Sequence, residues 1–399
     1  MKKGSGKAKQ KAKPIKKGWE AVAHLLRLIF HSVLSATTLF ILIIYIMSAF
    51  SDHIDPRQFH YISYLGIGYH LALIAALIWI VAMLVLRRWK LSLVMAIALL
   101  ISHEQISRYF PTNFFKSEIE VKGKIDTLRV MTYNTCISGQ AHLSRIKENI
   151  PVLDVIKESK ADIVCLQEYA FSLSKKGHTQ EEMRKSLAKS YPYYDFMPNS
   201  GSRALGIALF SKYPIKKKKR IDEAGKGYVS SMYYELDVNG QQIALVNNHL
   251  HSNNIAVKDR ELYDEMIEKL EADSAKIERF RTGILRSLGK AFISRARQSN
   301  LIRSFIDEET KGKDMALLVC GDLNDTPISY CYRTMRGDLC DTWQDAGIGA
   351  GTTFNKYHLW FRIDHIFHSS HLQPLDIKVM KDTECSDHYP VMATFVLCN

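Results

Sequence analysis

The chain has 399 residues, 47% of them hydrophobic and 24% charged, and a formal charge of +13 from 54 Lys plus Arg against 41 Asp plus Glu. That apolar fraction excludes global disorder, the size and the 7 Cys exclude a disulfide-dense miniature, and the length exceeds what one ordinary core needs. The charge is unevenly spread: through Phe115 there are 14 Lys plus Arg against 4 acids, which leaves 40 against 37 for the 284 residues that follow. A uniformly basic enzyme would point to a polyanionic partner; this second part is near neutral. All the cysteines (Cys136, Cys165, Cys320, Cys331, Cys340, Cys385, Cys398) lie in it, with no zinc-finger spacing, and their odd number leaves at least one thiol unpaired within a monomer.

In chain order, residues 1–24 read as a disordered basic tail, since the first eighteen hold eight Lys and no apolar period. Residues 25–110 read as a membrane anchor of two or three helices. Leu25 to Phe50 is apolar apart from Arg27 and His31, Ile62 to Leu86 carries no charged residue, and each could cross about 30 Å of hydrocarbon as a helix. The competing reading is a hydrophobic helical hairpin in a soluble core. A third run, Leu91 to Ile101, reaches membrane length only by using Trp89, His103, Ile106 and Tyr109 as interfacial ends; otherwise it is a re-entrant or surface-lying helix. Residues 111–127 read as a linker.

Residues 128–399 read as one catalytic domain. Strand patterns fall at Leu128 to Asn134, Ile163 to Glu168, Leu205 to Ser211, Val229 to Val238, Ile243 to Leu250, Met315 to Asn324, Asp364 to His368 and Tyr389 to Leu397. A helical stretch runs through Ile146, Val152, Val155 and Ile156, and the segment from about Ile255 to Ile306 has helical spacing at Ile277, Phe280, Ile284 and Leu288. No repeat of 20 to 50 residues is visible.

Polar clusters close several of these strands: Tyr133-Asn134, Gln167-Glu168, Asn248-His249, Gly321-Asp322-Leu323-Asn324, and Arg362-Ile363-Asp364-His365 together with Ser386-Asp387-His388-Tyr389-Pro390. Singly each is an ordinary strand end or a hydrogen-bonded histidine. Together they supply hard-oxygen ligands and two histidines, which is what metal-assisted hydrolysis of a phosphoester needs.

These motifs, in this order over about residues 126 to 398, resemble the endonuclease/exonuclease/phosphatase superfamily, which includes DNase I-like nucleases, apurinic endonucleases, neutral sphingomyelinases and inositol polyphosphate 5-phosphatases. The resemblance implies an α/β fold, a two-sheet β-sandwich flanked by helices in four layers, with the active site at one rim. It implies Mg2+, with Mn2+ as an alternative: Glu168 as primary ligand, Asn134 and Asp387 completing its surroundings directly or through water. It makes Asp322 the residue that orients or deprotonates the attacking water, Asn324 a phosphate contact, His249 the phosphate-side histidine, and His388 paired with Asp364 the holder of a phosphoryl oxygen. Whether His388 or Asp322 takes the proton stays open. Cys136 stands where many members carry Asn or Asp; thiolate suits Mg2+ poorly, so it reads as a small buried filler. Arg203, ahead of a Gly-containing strand and a Ser-Lys-Tyr-Pro turn, could reach a phosphate. Lys216 to Arg220 reads as a solvated strand or loop, because no aromatics alternate with it to stack on bases; an anionic lipid surface is its other possible partner.

The expected activity is a membrane-anchored, divalent-metal-dependent phosphodiesterase or phosphatase on lipid-linked or envelope substrates; nuclease action and an idle membrane scaffold are its rivals. Substrate choice is expected to depend on Ser172 to His178, Gly225 to Tyr228 and the 255–306 insertion. The Lys-rich start and Arg87, Arg88 and Lys90 mark cytoplasmic ends, so a spanning third run places the catalytic domain outside the cytoplasm.

Overall fold

The computed structural model describes residues 8–114, 127–139, 150–174, 177–221, 230–253, 274–356, 361–383 and 385–398. Most of the expected linker, the loop Gly225 to Tyr228, Ile146 and the start of the 255–306 insertion lie outside them. The chain divides into two compact units, one of residues 1–48 and 68–102, the other of residues 49–67 and 103–399.

The first unit holds three helices, Ala8–Ala49, Tyr69–Val85 and Trp89–Ile101. At one end Tyr45 Oη lies 2.5 Å from Ser102 Oγ and the Tyr45 ring packs on Tyr69; further along Trp79 Nε1 donates to Thr38 Oγ1 at 2.9 Å, and at the far end Arg88 meets His31 at 3.0 Å. The helices therefore run side by side, with alternating direction. Leu25, Phe40, Ile78, Val85 and Leu100 are exposed, an apolar exterior that suits lipid better than water. The stretch from Gly18 to Ala49 is long and apolar enough to cross a membrane. Two further spans exist only if each bent pair counts as one, Tyr61–Ile67 with Tyr69–Val85 and Trp89–Ile101 with His103–Tyr109, both bent by 65°.

One expectation is corrected here. Residues 8–24 are helical rather than a disordered tail: Ala and Lys are good helix formers, and the apolar helix that follows supplies the nucleus they extend. Within residues 25–110, residues 49–67 and 103–110 group with the second unit.

The second unit is built on two six-stranded mixed sheets. The first has the order β11-β12-β1-β2-β4-β3, from β1 (Thr127–Asn134), β2 (Ile163–Ala170), β3 (Tyr193–Pro198), β4 (Leu205–Ser211), β11 (Leu372–Val379) and β12 (Val391–Leu397). The second has the order β5-β6-β7-β8-β10-β9, from β5 (Ile215–Ile221), β6 (Ser230–Val238), β7 (Gln241–His249), β8 (Ala316–Asp322), β9 (Cys340–Asp341) and β10 (Asp364–His368). Among the described residues, β1 with β2 and β7 with β8 are the pairs that run parallel. Such central strands are buried on both faces and read as near-continuous apolar runs, as Ala316-Leu-Leu-Val-Cys320 does.

Side chains such as Val130, Cys165, Leu209, Leu245, Leu318 and Phe395 fill the space between the sheets. The helices Pro151–Ser159 and Gln180–Leu187 cover the outer face of the first sheet through Val152, Ile156, Met183 and Leu187. The helices Ser274–Thr310 and Tyr330–Arg336 cover that of the second through Ile302, Ile306, Tyr332 and Met335. The long helix bears out a helical 255–306 segment for its described part. The strands β3 and β11 have no counterpart among the expected ones. Lys216 to Arg220 is the edge strand β5, and its lysines are paired: Lys216 with Asp237, Lys217 with Glu235 and Glu309, Lys218 with Asp195, and Lys219 with Glu309.

Candidate active site

The two parallel pairs end at one rim. β1 ends at Asn134, β2 carries Glu168 near its end, and β7 and β8 end at His249 and Asp322, which lie side by side in register. Antiparallel β10 begins at Asp364, directly opposite Asp322. A polar tie between the sheets lies beneath: Gln167 Nε2 donates to Asn247 Oδ1 at 2.7 Å, and Asn247 Nδ2 donates to the Leu166 and Ala208 carbonyls.

Local backbone breaks aim the side chains. The pairing of β2 with β4 shifts between Leu166 and Tyr169, and Glu168 there has φ 49°, a bulge that turns its carboxylate toward the rim. Gly321 has φ +133°, and a Cβ there would sit 2.0 Å from the Asn248 carbonyl oxygen. Only glycine lets β8 approach β7 this closely.

Asp322 is fully buried. Its carboxylate accepts Asn134 Nδ2 at 2.9 Å, the Asn324 main-chain N–H at 2.7 Å and Asn324 Nδ2 at 3.1 Å. Burial raises its pKa first and nearby Asp364 adds to this, while His388, His249 and Asn134 pull the other way. His249 Nε2 stands 3.6 Å from Glu168 Oε1 and 3.8 Å from Asp322 Oδ2. It is buried without a hydrogen-bond partner among the described residues.

His388 Nδ1 meets Asp364 Oδ2 at 2.8 Å, and its Nε2 lies 3.8 Å from Asp322 Oδ2. Burial alone would lower the pKa of His388, but the charges of Asp364 and Asp322 and the hydrogen bond to Asp364 outweigh it, so the imidazole is raised and carries its proton at neutral pH. The edge of the Phe354 ring packs against it at 5.4 Å. Ser386 secures the loop by donating to the Asn134 carbonyl at 2.7 Å and accepting from the His388 N–H.

Two asparagines tie the site together. Asn134 turns its amide oxygen to the Cys136 N–H and its nitrogen to Asp322 and Glu168, so it orients carboxylates as a donor. Asn324 directs its amide nitrogen to the Leu250 carbonyl and Asp322, which makes it a brace of the Asp322 turn. Cys136 is no buried filler: half-buried beside Asp387 and Glu168, its thiol is pushed up to about 12 by burial and by those two charges. Arg203 lies exposed in the bend before β4.

Thr353, which the sequence reading missed, accepts the Ile363 and Asp364 N–H groups on its Oγ1 at 3.0 and 3.2 Å. Its role depends on a contact ten residues along the chain, which no local pattern announces. Arg295, also missed, is fully buried on the long helix and holds Asp325 and the His251 carbonyl.

No curated protein matches the chain. Among solved structures it is similar to an endonuclease/exonuclease/phosphatase from Beutenbergia cavernae (19% identity, 68% of this chain and 72% of that one, TM-score 0.46) and to a mannosyl-6-phosphatase from Bacteroides thetaiotaomicron (18%, 68% and 100%, 0.45). The catalytic domain of human Nocturnin is similar at 17% identity, over 69% of this chain and 98% of that one, with a TM-score of 0.46. One family model, described as a domain of unknown function, matches residues 31–109. Another, that of the endonuclease/exonuclease/phosphatase family, matches residues 131–388, which contain every site residue from Asn134 to His388. The chain belongs to the endonuclease/exonuclease/phosphatase family and is an enzyme that hydrolyses phosphoric esters.

Proposed function

We propose that the chain is a membrane-anchored, divalent-metal-dependent phosphoesterase acting outside the cytoplasm on a lipid-linked or envelope phosphoester. The observation that carries the chemistry is the convergence of Asp322, Asp364 and His388, whose ligand atoms lie within 4.8 Å of one another, buried, beside Glu168 and His249. Glu168, Asp322, Asp364 and Asp387 bring four carboxylates against two imidazoles. That excess of negative charge fits a divalent cation, and an idle scaffold has no physical use for it. Glu168 and Asp387 would hold the ion, with Asn134 fixing Glu168; Mg2+ suits such oxygen donors and Mn2+ is the alternative. When bound, the ion supplies charge to offset that of the phosphoryl group.

The chain's own groups do the rest. Asp322, held by three N–H donors, orients the attacking water as an acceptor. His388, held in place and kept protonated by Asp364, directs Nε2–H at a phosphoryl oxygen, and His249 offers its unpartnered Nε2 to the same group. Phe354 shields the His388 ring from solvent.

For the location, the Lys-rich start precedes the first span, and Arg87, Arg88 and Lys90 lie at the turn between the helices Tyr69–Val85 and Trp89–Ile101. With these basic segments in the cytoplasm and the third apolar run spanning, the chain after that run lies on the other side. Fixed near a bilayer, the site favours lipid-linked or envelope esters over chromosomal DNA. The test is an activity panel for the full chain in detergent, with bis(4-nitrophenyl) phosphate, 4-nitrophenyl phosphate, phospholipids, sugar phosphates and DNA, with and without Mg2+ or Mn2+, and Glu168→Gln as blank. Metal-dependent turnover of a phospholipid or small ester supports the reading; turnover of DNA alone replaces it with a nuclease, and none of any substrate refutes it.

A further inference from the structure

We propose that Asp52, in the short segment between the first two apolar helices, is a positioning residue for the reaction, acting through Arg108 and Arg362 on the Asp364–His388 pair. The inference rests on the phosphoesterase reading above. Asp52 lies in the single turn Ser51–His53, and it is fully buried, which a carboxylate tolerates only with partners. Its Oδ2 takes Arg108 Nη1 at 3.0 Å and its Oδ1 lies 2.6 Å from His53 Nδ1.

Arg108, also buried, ends the helix His103–Tyr109, and its main-chain carbonyl accepts Arg362 Nη2. Arg362 is buried in turn, over the Trp343 ring and 3.6 Å from Asp341. Two residues later comes Asp364. The link is short and stiff: the Ile363 and Asp364 N–H groups are tied to Thr353, and the Ile363 carbonyl accepts the Leu323 N–H at 2.9 Å. The segment therefore has its side-chain anchor on Arg108 and its reacting carboxylate on His388.

The anchorage has little redundancy. Arg108 Nε and Arg362 Nε and Nη1 have no hydrogen-bond partner among the described residues, so each guanidinium is held by few contacts, Arg108 by Asp52 and Glu104 and Arg362 by the Arg108 carbonyl with Asp341 nearby. Without the Asp52 charge, Arg108 is left as a buried cation with Glu104 alone, a half-exposed partner, and must move toward water. Its carbonyl moves with it, and Arg362 follows. A shift of about 1 Å at Asp364 is enough to misdirect His388. The segment flanking the first span is in this way part of the catalytic framework.

The test uses the full chain in detergent micelles, with bis(4-nitrophenyl) phosphate and 4-nitrophenyl phosphate and Mg2+. Asp52→Asn is expected to lower kcat about tenfold with KM within about twofold, at a temperature where thermal scans show the variant folded. The double variant Asp52→Asn with Arg108→Met removes the stranded cation but keeps the carbonyl, and is expected to recover most of the lost kcat. Wild-type kcat in Asp52→Asn, or a loss that matches its unfolded fraction or lies in KM alone, overturns the proposal. Hydrogen exchange gives a readout without turnover: Asp52→Asn should speed exchange at Ile363 to Ile366 and leave Tyr233 to Leu236 unchanged. If the wild type turns over neither probe, the phosphoesterase reading is decided by the full substrate panel above while the exchange experiment decides the positioning role, and unchanged exchange at Ile363 to Ile366 overturns that role.

Discussion

Asp364 and Asp322 face each other across the antiparallel pair of β10 and β8, two buried acids in direct register. Like charges so placed repel, and the fold separates their tasks. Asp364 gives its Oδ2 to His388, while Asp322 takes N–H groups from Asn134 and Asn324. Asp364→Asn keeps the shape but loses the charge that holds His388 protonated. Turnover should fall by about 10²-fold or more with KM little changed. Measurement of kcat and KM for the folded variant checks this, and an unchanged kcat would remove the pair from the mechanism.

Glu168→Gln is expected to abolish metal-dependent turnover and to weaken Mg2+ binding seen by calorimetry, with the thermal midpoint of the metal-free chain unchanged. The bulge that presents residue 168 is a backbone feature and survives the substitution. Wild-type Mg2+ affinity in this variant would take Glu168 out of the site.

Gly321→Ala should unfold or severely destabilise the second unit, by about 3 kcal/mol or more, because the new Cβ meets the backbone of Asn248 at a φ that side chains rarely adopt. A thermal midpoint within a few degrees of wild type would show that β7 and β8 are not packed as described.

His365 is buried, donates Nε2–H to the Asp325 carbonyl at 3.0 Å, and is lowered to about 4, by burial first and then by Arg362. An unfolded histidine has a pKa of about 6.5, so below that pH the unfolded chain binds a proton that the folded one does not. This contribution to stability is whole above about pH 6.5 and is lost as pH falls toward 4, by up to about 1.4 kcal/mol per unit. Thermal midpoints at pH 7 and pH 5 should therefore differ more for the wild type than for His365→Gln. Equal differences would show that His365 does not carry this pH dependence.

Fusions made in a bacterial host test the location. Alkaline phosphatase placed after Asn399 should be active and green fluorescent protein dark, with the reverse for fusions at Arg88. The opposite pattern would place the catalytic unit in the cytoplasm and withdraw the envelope substrates.

The membrane-length apolar runs, the central strands and the residues at their ends were legible in the chain itself, because apolar periodicity and the chemistry of Asn134, Glu168, His249, Asp322, Asp364 and His388 are local properties. The strands β3 and β11 were not, since edge positions such as Tyr193 to Pro198 mix exposed and buried residues without a clean alternation. Nor was the way each site residue is turned. That Asn134 donates to Asp322 and Glu168, that Cys136 faces two carboxylates, and that Arg108 leans on Asp52 in the segment before the second apolar helix are decided by partners tens to hundreds of residues away. Composition and spacing specify which groups a strand carries to the rim. Only the packing of the two sheets, with the segments flanking the spans packed into the same unit, decides what each group then faces, because hydrogen-bond direction and burial are properties of the assembled neighbourhood.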